Sequence, residues 1–210
     1  MTPSTRGYAE GARELIERYE SIPFEEKHRV VLHLIPSRPC RVLDIGAGSG
    51  VDAAWFAQRG HRVVAVEPVK ALRLAAMALH PSPRIEWVDD HLPGLARMRA
   101  REETFDLVML TAVWMHLDKR ERQRAMPPLA RLLATGGLLV MALRHGPRPS
   151  ARRMFEVSPA ETSRLAVARG LRPVLAVCTE SAQPDNRQAG IIWSRLAFER
   201  VGETHQRPAG

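Results

Sequence analysis

The stretch Val42-Leu43-Asp44-Ile45-Gly46-Ala47-Gly48-Ser49-Gly50 constrains this chain more than any other. It reads as a buried strand, Arg41 to Ile45, running into a glycine turn and then a helix that begins near Val51. Glycine reaches positive φ without steric cost, and its missing Cβ lets a ligand approach the backbone closely. The turn therefore predicts a ligand site at the carboxyl end of a strand. Strand, glycine turn and helix also open the dinucleotide fingerprint G-x-G-x-x-G. Here the spacing is Gly46-x-Gly48-x-Gly50 followed by Val51-Asp52-Ala53, so the third glycine of that pattern is missing. A helix N-terminus that receives a pyrophosphate is badly served by an acidic residue in its first turn. Asp52 stands there and Asp44 precedes the turn, which suits a ligand carrying a positive charge and an amino group.

The segments that follow repeat the strand type. Arg62-Val63-Val64-Ala65-Val66 is an apolar, β-branched run ending in Glu67-Pro68. Glu67 thus sits at the end of a second parallel strand, about 20 residues past the glycines, where a carboxylate can accept hydrogen bonds from two ribose hydroxyls. A third strand, Arg84 to Val88, ends in Asp89-Asp90, placed to meet an adenine amino group. A fourth, Phe105 to Leu110, ends at Thr111-Ala112-Val113-Trp114, and a fifth, Gly137 to Leu143, follows the Thr135-Gly136 turn.

With these residues in view, the chain resembles the class I S-adenosylmethionine-dependent methyltransferases. VLDIGAGSG resembles their first motif, VVAVEP the second, WVDDHLP the adenine-contacting segment, FDLVMLTAVWMHL the fourth and LLATGGLLVMAL the fifth. The resemblance runs in order from about Arg41 to Leu143. It implies a doubly wound α/β fold: a seven-stranded, mostly parallel, Rossmann-like sheet with an antiparallel C-terminal hairpin and an N-terminal helical lid. It also implies S-adenosylmethionine as methyl donor, whose sulfonium and α-amino group match the acidic turn. The implied donor contacts are Asp44, Gly46, Ala47, Gly48, Gly50, Glu67, Pro68, Asp89, Asp90, Thr111 and Ala112.

Length allows one well-buried domain. No apolar run approaches the roughly 18 residues of a membrane span, and Met1 to Glu20 carries charges throughout rather than a signal-peptide core. Cys40 and Cys178 read as buried free thiols of a cytoplasmic protein. The net charge of +8 invites a nucleic-acid partner. The arginines are scattered, however, and only Lys27, Lys70 and Lys119 are lysines. The densest cluster, Lys119 to Arg124, includes Glu121 and reads as a solvated helix face rather than a nucleic-acid surface.

Residues 1–36 are expected to form the lid, with amphipathic helices at Ala9–Tyr19 and Phe24–Leu34; the alternative is a helix pair that only covers the sheet edge. Tyr8, Tyr19, Glu25 and His28 are its polar and aromatic members of interest. Residues 37–201 form the donor-binding domain, and 202–210 a disordered tail. Ser158-Pro159-Ala160-Glu161 opens a helix, and the strands Leu171–Thr179 and Ile191–Arg200 follow, joined by a polar loop. No metal-ligand spacing is present.

For the chemistry, His116 is the candidate base, since an imidazole accepts protons near neutrality; its alternative role is to orient the next helix. Asp118 reads as that helix's N-cap. Tyr19 and Trp114 are candidate substrate walls. Arg144 and His145, with Arg153, are candidates to hold an anionic substrate group. The expected acceptor is a small molecule. An RNA methyltransferase and a non-catalytic donor-binding protein are the alternatives, and the acceptor atom and oligomeric state are not legible.

Overall fold

A computed structural model describes residues 11–149 and 152–202. Seven strands form one sheet: β1 (Arg41–Ile45), β2 (Arg62–Val66), β3 (Ile85–Val88), β4 (Phe105–Thr111), β5 (Leu133–His145), β6 (Leu171–Glu180) and β7 (Ile192–Arg200). Their order is β3-β2-β1-β4-β5-β7-β6. β7 pairs antiparallel with both β5 and β6, while the pairs among β1 to β5 are parallel. The expected fold class is the observed one.

The strands read as continuous apolar runs because both faces of the sheet are covered. Alternation divides each run. Leu43, Ile45, Val64 and Val66 enter one core, with Trp114, Met126, Leu129 and Phe198. Val42, Val63 and Ala65 enter the other, with Phe24, Val31, Ala53 and Phe56. On the first face lie α5 (Ala96–Ala100), α6 (Lys119–Leu132) and α7 (Pro159–Val167). On the second lies α3 (Val51–Gln58), beside α2 (Phe24–Lys27) and a 3₁₀ helix at Arg29–Leu34. The single amphipathic helix expected over Phe24–Leu34 is thus two short pieces. α1 (Ala12–Glu20) and α4 (Lys70–Leu79) touch each other beyond the sheet. Tyr8 and the tail from residue 203 lie outside the described residues.

Local signals for helix starts hold. Asp118 accepts from the Glu121 amide and Glu121 from the Asp118 amide, a complete capping box on α6. Ser158 caps α7 ahead of Pro159. The polar loop after β6 contains a further helix, α8 (Pro184–Gln188), started by a proline at its first position. Both cysteines are free, but only Cys40 is partly buried; Cys178 is exposed on β6, an edge strand whose outward residues meet solvent.

Candidate active site

Strand order reverses between β1 and β4, and the cavity opens over the carboxyl ends of the strands at that point. The turn after β1 is tied to its neighbour: the amides of Gly46 and Ala47 both donate to Val66 O, at 2.8 and 3.1 Å. Gly46 has φ +74°, and a Cβ there would stand 2.4 Å from Val113 Cγ2. The glycine is therefore required by the chain's own β4 end, apart from any ligand. At Gly48 the Tyr19 ring lies 3.2 Å from where a Cβ would be, so the N-terminal helix rests an aromatic on the turn.

Three buried carboxylates line this end. Glu67 Oε2 accepts from Gly48 N at 2.9 Å and Oε1 from Val69 N at 2.8 Å. Burial pushes its pKa up to about 7 against the pull of those two amides. Each oxygen accepts one of these bonds and retains further acceptor capacity at the cavity wall, the capacity that paired hydroxyls need. Asp52, in the first turn of α3, meets Lys27 Nζ at 2.5 Å and His28 Nε2 at 2.8 Å. Burial alone would raise its pKa; Lys27 and His28 overcome this and hold it well below the usual carboxylate range. Burial also lowers the His28 pKa, so the neutral ring donates from Nε2. An internal ion pair thus fills the place where a pyrophosphate would dock.

Asp44 differs. Its Oδ2 is buried with no hydrogen-bond partner among the described residues, as is Ser49 Oγ beside it. Burial, then the charge of Asp52, raise the Asp44 pKa well above normal, with Lys27 opposing. An unanswered acidic group on a cavity wall fits a ligand ammonium group. Pro68, Thr111 and Ala112 complete this end. Ala112 has φ +59°, a left-handed conformation strained for a non-glycine, and its amide is held by Ala142 O.

The two aspartates after β3 part company. Asp90 is buried and lines the cavity, its oxygens accepting from His91 N and Met98 N. Asp89 is a correction to the expected donor contacts: it points to solvent, paired with Arg73 at 2.8 Å. Successive residues at a strand end face opposite ways, so only one of the pair can serve.

At the other end, His116 closes the 3₁₀ turn Trp114–His116 and lines the cavity. Its Nδ1 donates to Arg153 O at 2.7 Å, which leaves Nε2 as the basic nitrogen. Burial lowers the His116 pKa, so the ring is a neutral base at physiological pH.

Trp114 is not a substrate wall. It is fully buried in the core, its Nε1 donating to Thr162 Oγ1 at 3.1 Å. A 3₁₀ turn rotates about 120° per residue, so residues two apart point to different sides. Arg144 and His145 do not hold a substrate either. β5 runs beyond Leu143 because β7 continues to pair with it, and both residues lie outside the cavity lining. Arg144 donates to Pro147 O, and His145 Nε2 meets Ser194 Oγ at 2.8 Å. Arg153 is bound to Asp118 and Glu121. Glu25 serves the surface, accepting from Trp55 and Arg59.

The sequence reading missed Trp193 and Arg195 on β7, and Ser181, Gln183 and Asn186 around α8, all of which line the cavity. Arg18 on α1 donates to Asn186 Oδ1 at 2.6 Å and Gln183 Oε1 at 3.0 Å, joining both ends of the chain over the site. One signal was available: Arg195 interrupts the apolar strand Ile191–Phe198 on a face that is otherwise buried.

Sheet order, acidic glycine turn and a cavity at the switch point are features of the class I S-adenosylmethionine-dependent methyltransferases, which this chain resembles in fold and motif core. Residues 43–141 match the model of the methyltransferase domain family. An uncharacterized methyltransferase of Alkaliphilus oremlandii is 31% identical over 100 residues, 48% of this chain and 44% of that protein. A protein-L-isoaspartate O-methyltransferase of Shewanella loihica is 33% identical over 113 residues, 51% of this chain and 47% of that protein. These matches span about half or less of the curated relatives' length. Among solved structures, the Burkholderia thailandensis 1,6-didemethyltoxoflavin-N1-methyltransferase, with that compound and S-adenosylhomocysteine bound, has a TM-score of 0.71 at 23% identity. It covers 93% of this chain, and this chain covers 84% of it.

Proposed function

We propose that the protein transfers a methyl group from S-adenosylmethionine to a small-molecule acceptor and releases S-adenosylhomocysteine. The observation that carries the reading is the unpartnered Asp44 Oδ2 on the cavity wall beside the glycine turn. Asp44 would receive the donor's α-ammonium, Glu67 its ribose hydroxyls, and the Asp90–Leu92 segment its adenine. When bound, the donor supplies an electrophilic sulfonium methyl. The chain's own part is to hold both reactants in line, keep water out and take up a proton. His116 Nε2 takes that proton from the acceptor, and Tyr19 and Ile22 close the cavity from the N-terminal side. Residues 11–36 serve as the lid, fastened by Lys27 and His28 to Asp52.

The roof formed by α1 and α8 favours an acceptor small enough to be enclosed. An RNA acceptor is favoured only by the net charge of +8, and some of the surface arginines are paired, as in Arg59–Glu25 and Arg101–Glu86. The test is incubation with radiolabelled donor and a metabolite extract, fractionated by size. Label in the low-mass fraction is expected; label confined to RNA or protein would overturn the small-acceptor reading. Donor-product binding without label anywhere would mark a non-catalytic protein.

A further inference from the structure

Among the described residues, Arg195 is a buried cation with no hydrogen-bond or ion-pair partner. Its side chain lines the cavity and the residue is only 6% exposed. Among the described residues it donates no hydrogen bond, and no carboxylate comes within the 4 Å of an ion pair. Its neighbours are the ring of Trp193, 5.4 Å from the guanidinium carbon, and the field of Asp52, which is already bound to Lys27 and His28. Arg122 shows how this fold treats a buried guanidinium otherwise: at 4% exposure it donates to Leu117 O and to the Glu161 carboxylate. Burying an arginine without such partners is costly unless a ligand supplies them. Burial brings the Arg195 pKa down only to about 10, so the group remains a cation at neutral pH.

Its place in the sheet says which ligand. Arg195 is the register partner of Ala142 on β5, which pairs with Thr111 at the end of β4. In the order β1-β4-β5-β7 it lies three strands from the glycine turn, about 14 Å across the sheet at the usual strand spacing. Trp193 lies two residues away on the same face and lines the same cavity, as does His116. Lys27, the other cation of the lining, is engaged by Asp52.

We propose that Arg195 is a specificity-determining residue that binds a carboxylate on the methyl acceptor, with the acceptor's flat body against Trp193 and its nucleophilic atom toward His116. A guanidinium presents two parallel N–H donors to a carboxylate, a geometry lysine cannot match. One unpaired cation suits a monoanionic group. The substrate class is therefore a small, flat monocarboxylate bearing a nucleophile. This inference rests on the methyltransferase reading for its acceptor, but not for the anion site itself.

The test compares the full chain with Arg195→Gln and Arg195→Lys, using benzoate and its neutral isostere benzamide as probes by calorimetry, with and without saturating S-adenosylhomocysteine. Benzoate is expected to bind the parent at least tenfold more tightly than benzamide does. Arg195→Gln should remove that preference and Arg195→Lys retain part of it, while all three proteins bind S-adenosylhomocysteine within about twofold of one another, which also shows that the variants fold. Labelled product from the metabolite extract should be retained on an anion exchanger at neutral pH, and its acceptor's KM should rise at least tenfold in Arg195→Gln. Absence of benzoate binding, or equal binding by parent and Arg195→Gln, overturns the proposal. So does a tenfold loss of S-adenosylhomocysteine affinity in Arg195→Gln with 5′-methylthioadenosine binding unchanged, since the guanidinium would then serve the donor's own carboxylate. Failure of the parent to bind S-adenosylhomocysteine would sink the methyltransferase reading instead, and the benzoate arm without it still reads Arg195.

Discussion

Over β1 and β2 the cavity is built from groups close together in the chain: Glu67 is held by the amides of Gly48 and Val69, and the turn by Val66 O. Over β4, β5 and β7 it is built from side chains far apart in sequence: His116 is fixed by Arg153 O, and Arg195 lines the same cavity from β7. The first end is acidic and held largely by backbone; the second is an imidazole, an indole and a guanidinium. Backbone amides cannot be mutated away and bind any ligand of the right outline, so this end suits a constant donor. Side chains on β7 and α8 can be exchanged without disturbing the turn, so the second end suits recognition of a particular acceptor.

Of the four tryptophans, Trp114 and Trp193 give the largest expected difference between core and cavity wall. Trp114, in the 3₁₀ turn after β4, is pure core; Trp114→Ala should cost about 3–5 kcal/mol of stability. Trp193 is half-buried at the cavity wall, and Trp193→Ala should cost roughly 1 kcal/mol. Urea unfolding of both variants measures this. Equal losses would mean that the cavity wall at β7 is as much core as the 3₁₀ turn.

His116 comes next. His116→Ala should lower turnover about 10²-fold or more while S-adenosylhomocysteine affinity stays unchanged, since the ring lies at the acceptor end. Because burial lowers the pKa of His116, the acid limb of kcat/KM should fall below the ordinary imidazole value of 6.5. A variant that keeps half its turnover, or a limb above that value, would leave His116 as a structural pin for the Arg153 segment.

Glu67 tests the donor end through pH. Its folded pKa is raised from 4.5 to about 7, so the native state holds the proton more tightly than the unfolded chain does. The stability this gives is fully present below pH 4.5 and is lost as pH rises through about 7, amounting at most to about 3 kcal/mol. Asp44 shifts the same way, so Glu67→Gln should flatten only part of the slope of the ligand-free protein. Donor hydrogen bonds favour the ionised carboxylate, so S-adenosylhomocysteine should bind with proton release near neutrality. Glu67→Gln should weaken it by about 1–3 kcal/mol. Calorimetry in buffers of different ionisation enthalpy reads the proton directly, and a binding heat independent of buffer would contradict the assignment.

What the sequence made legible follows the same division. β1 and β2 are observed at their expected bounds, because apolar runs closed by Gly46 or by Glu67-Pro68 are local signals. Asp118 and Ser158 cap as expected for the same reason. The acceptor end depends on a long-range event, the insertion of β7 between β5 and β6, which extends β5 past Leu143 and carries Arg144 and His145 off the cavity while bringing Arg195 to it. Proximity along the chain suggested Trp114 and Arg144; pairing across the sheet supplied Trp193 and Arg195.

The smallest expected effect separates neighbours within the donor end itself. Asp89 and Asp90 look equivalent in sequence, yet the Asp89 side chain is 50% exposed and, among the described residues, pairs with the Arg73 guanidinium, which also donates to Glu67 O. An exposed ion pair contributes about 0–1 kcal/mol once salt and side-chain entropy are counted. The remaining bond from Arg73 to Glu67 O does not depend on Asp89. Asp89→Ala should therefore change S-adenosylhomocysteine affinity by less than about threefold, with the residual effect fading as salt is raised. Asp90→Ala is different in kind, because it removes the acceptor for both His91 N and Met98 N where the chain turns into α5 beside the cavity. Leaving those amides without partners costs roughly 1–3 kcal/mol each where they are buried, and the loss should appear in stability and in affinity together. A tenfold fall in affinity for Asp89→Ala, insensitive to salt, would put the wrong aspartate at the adenine and move the boundary of the donor end by one residue.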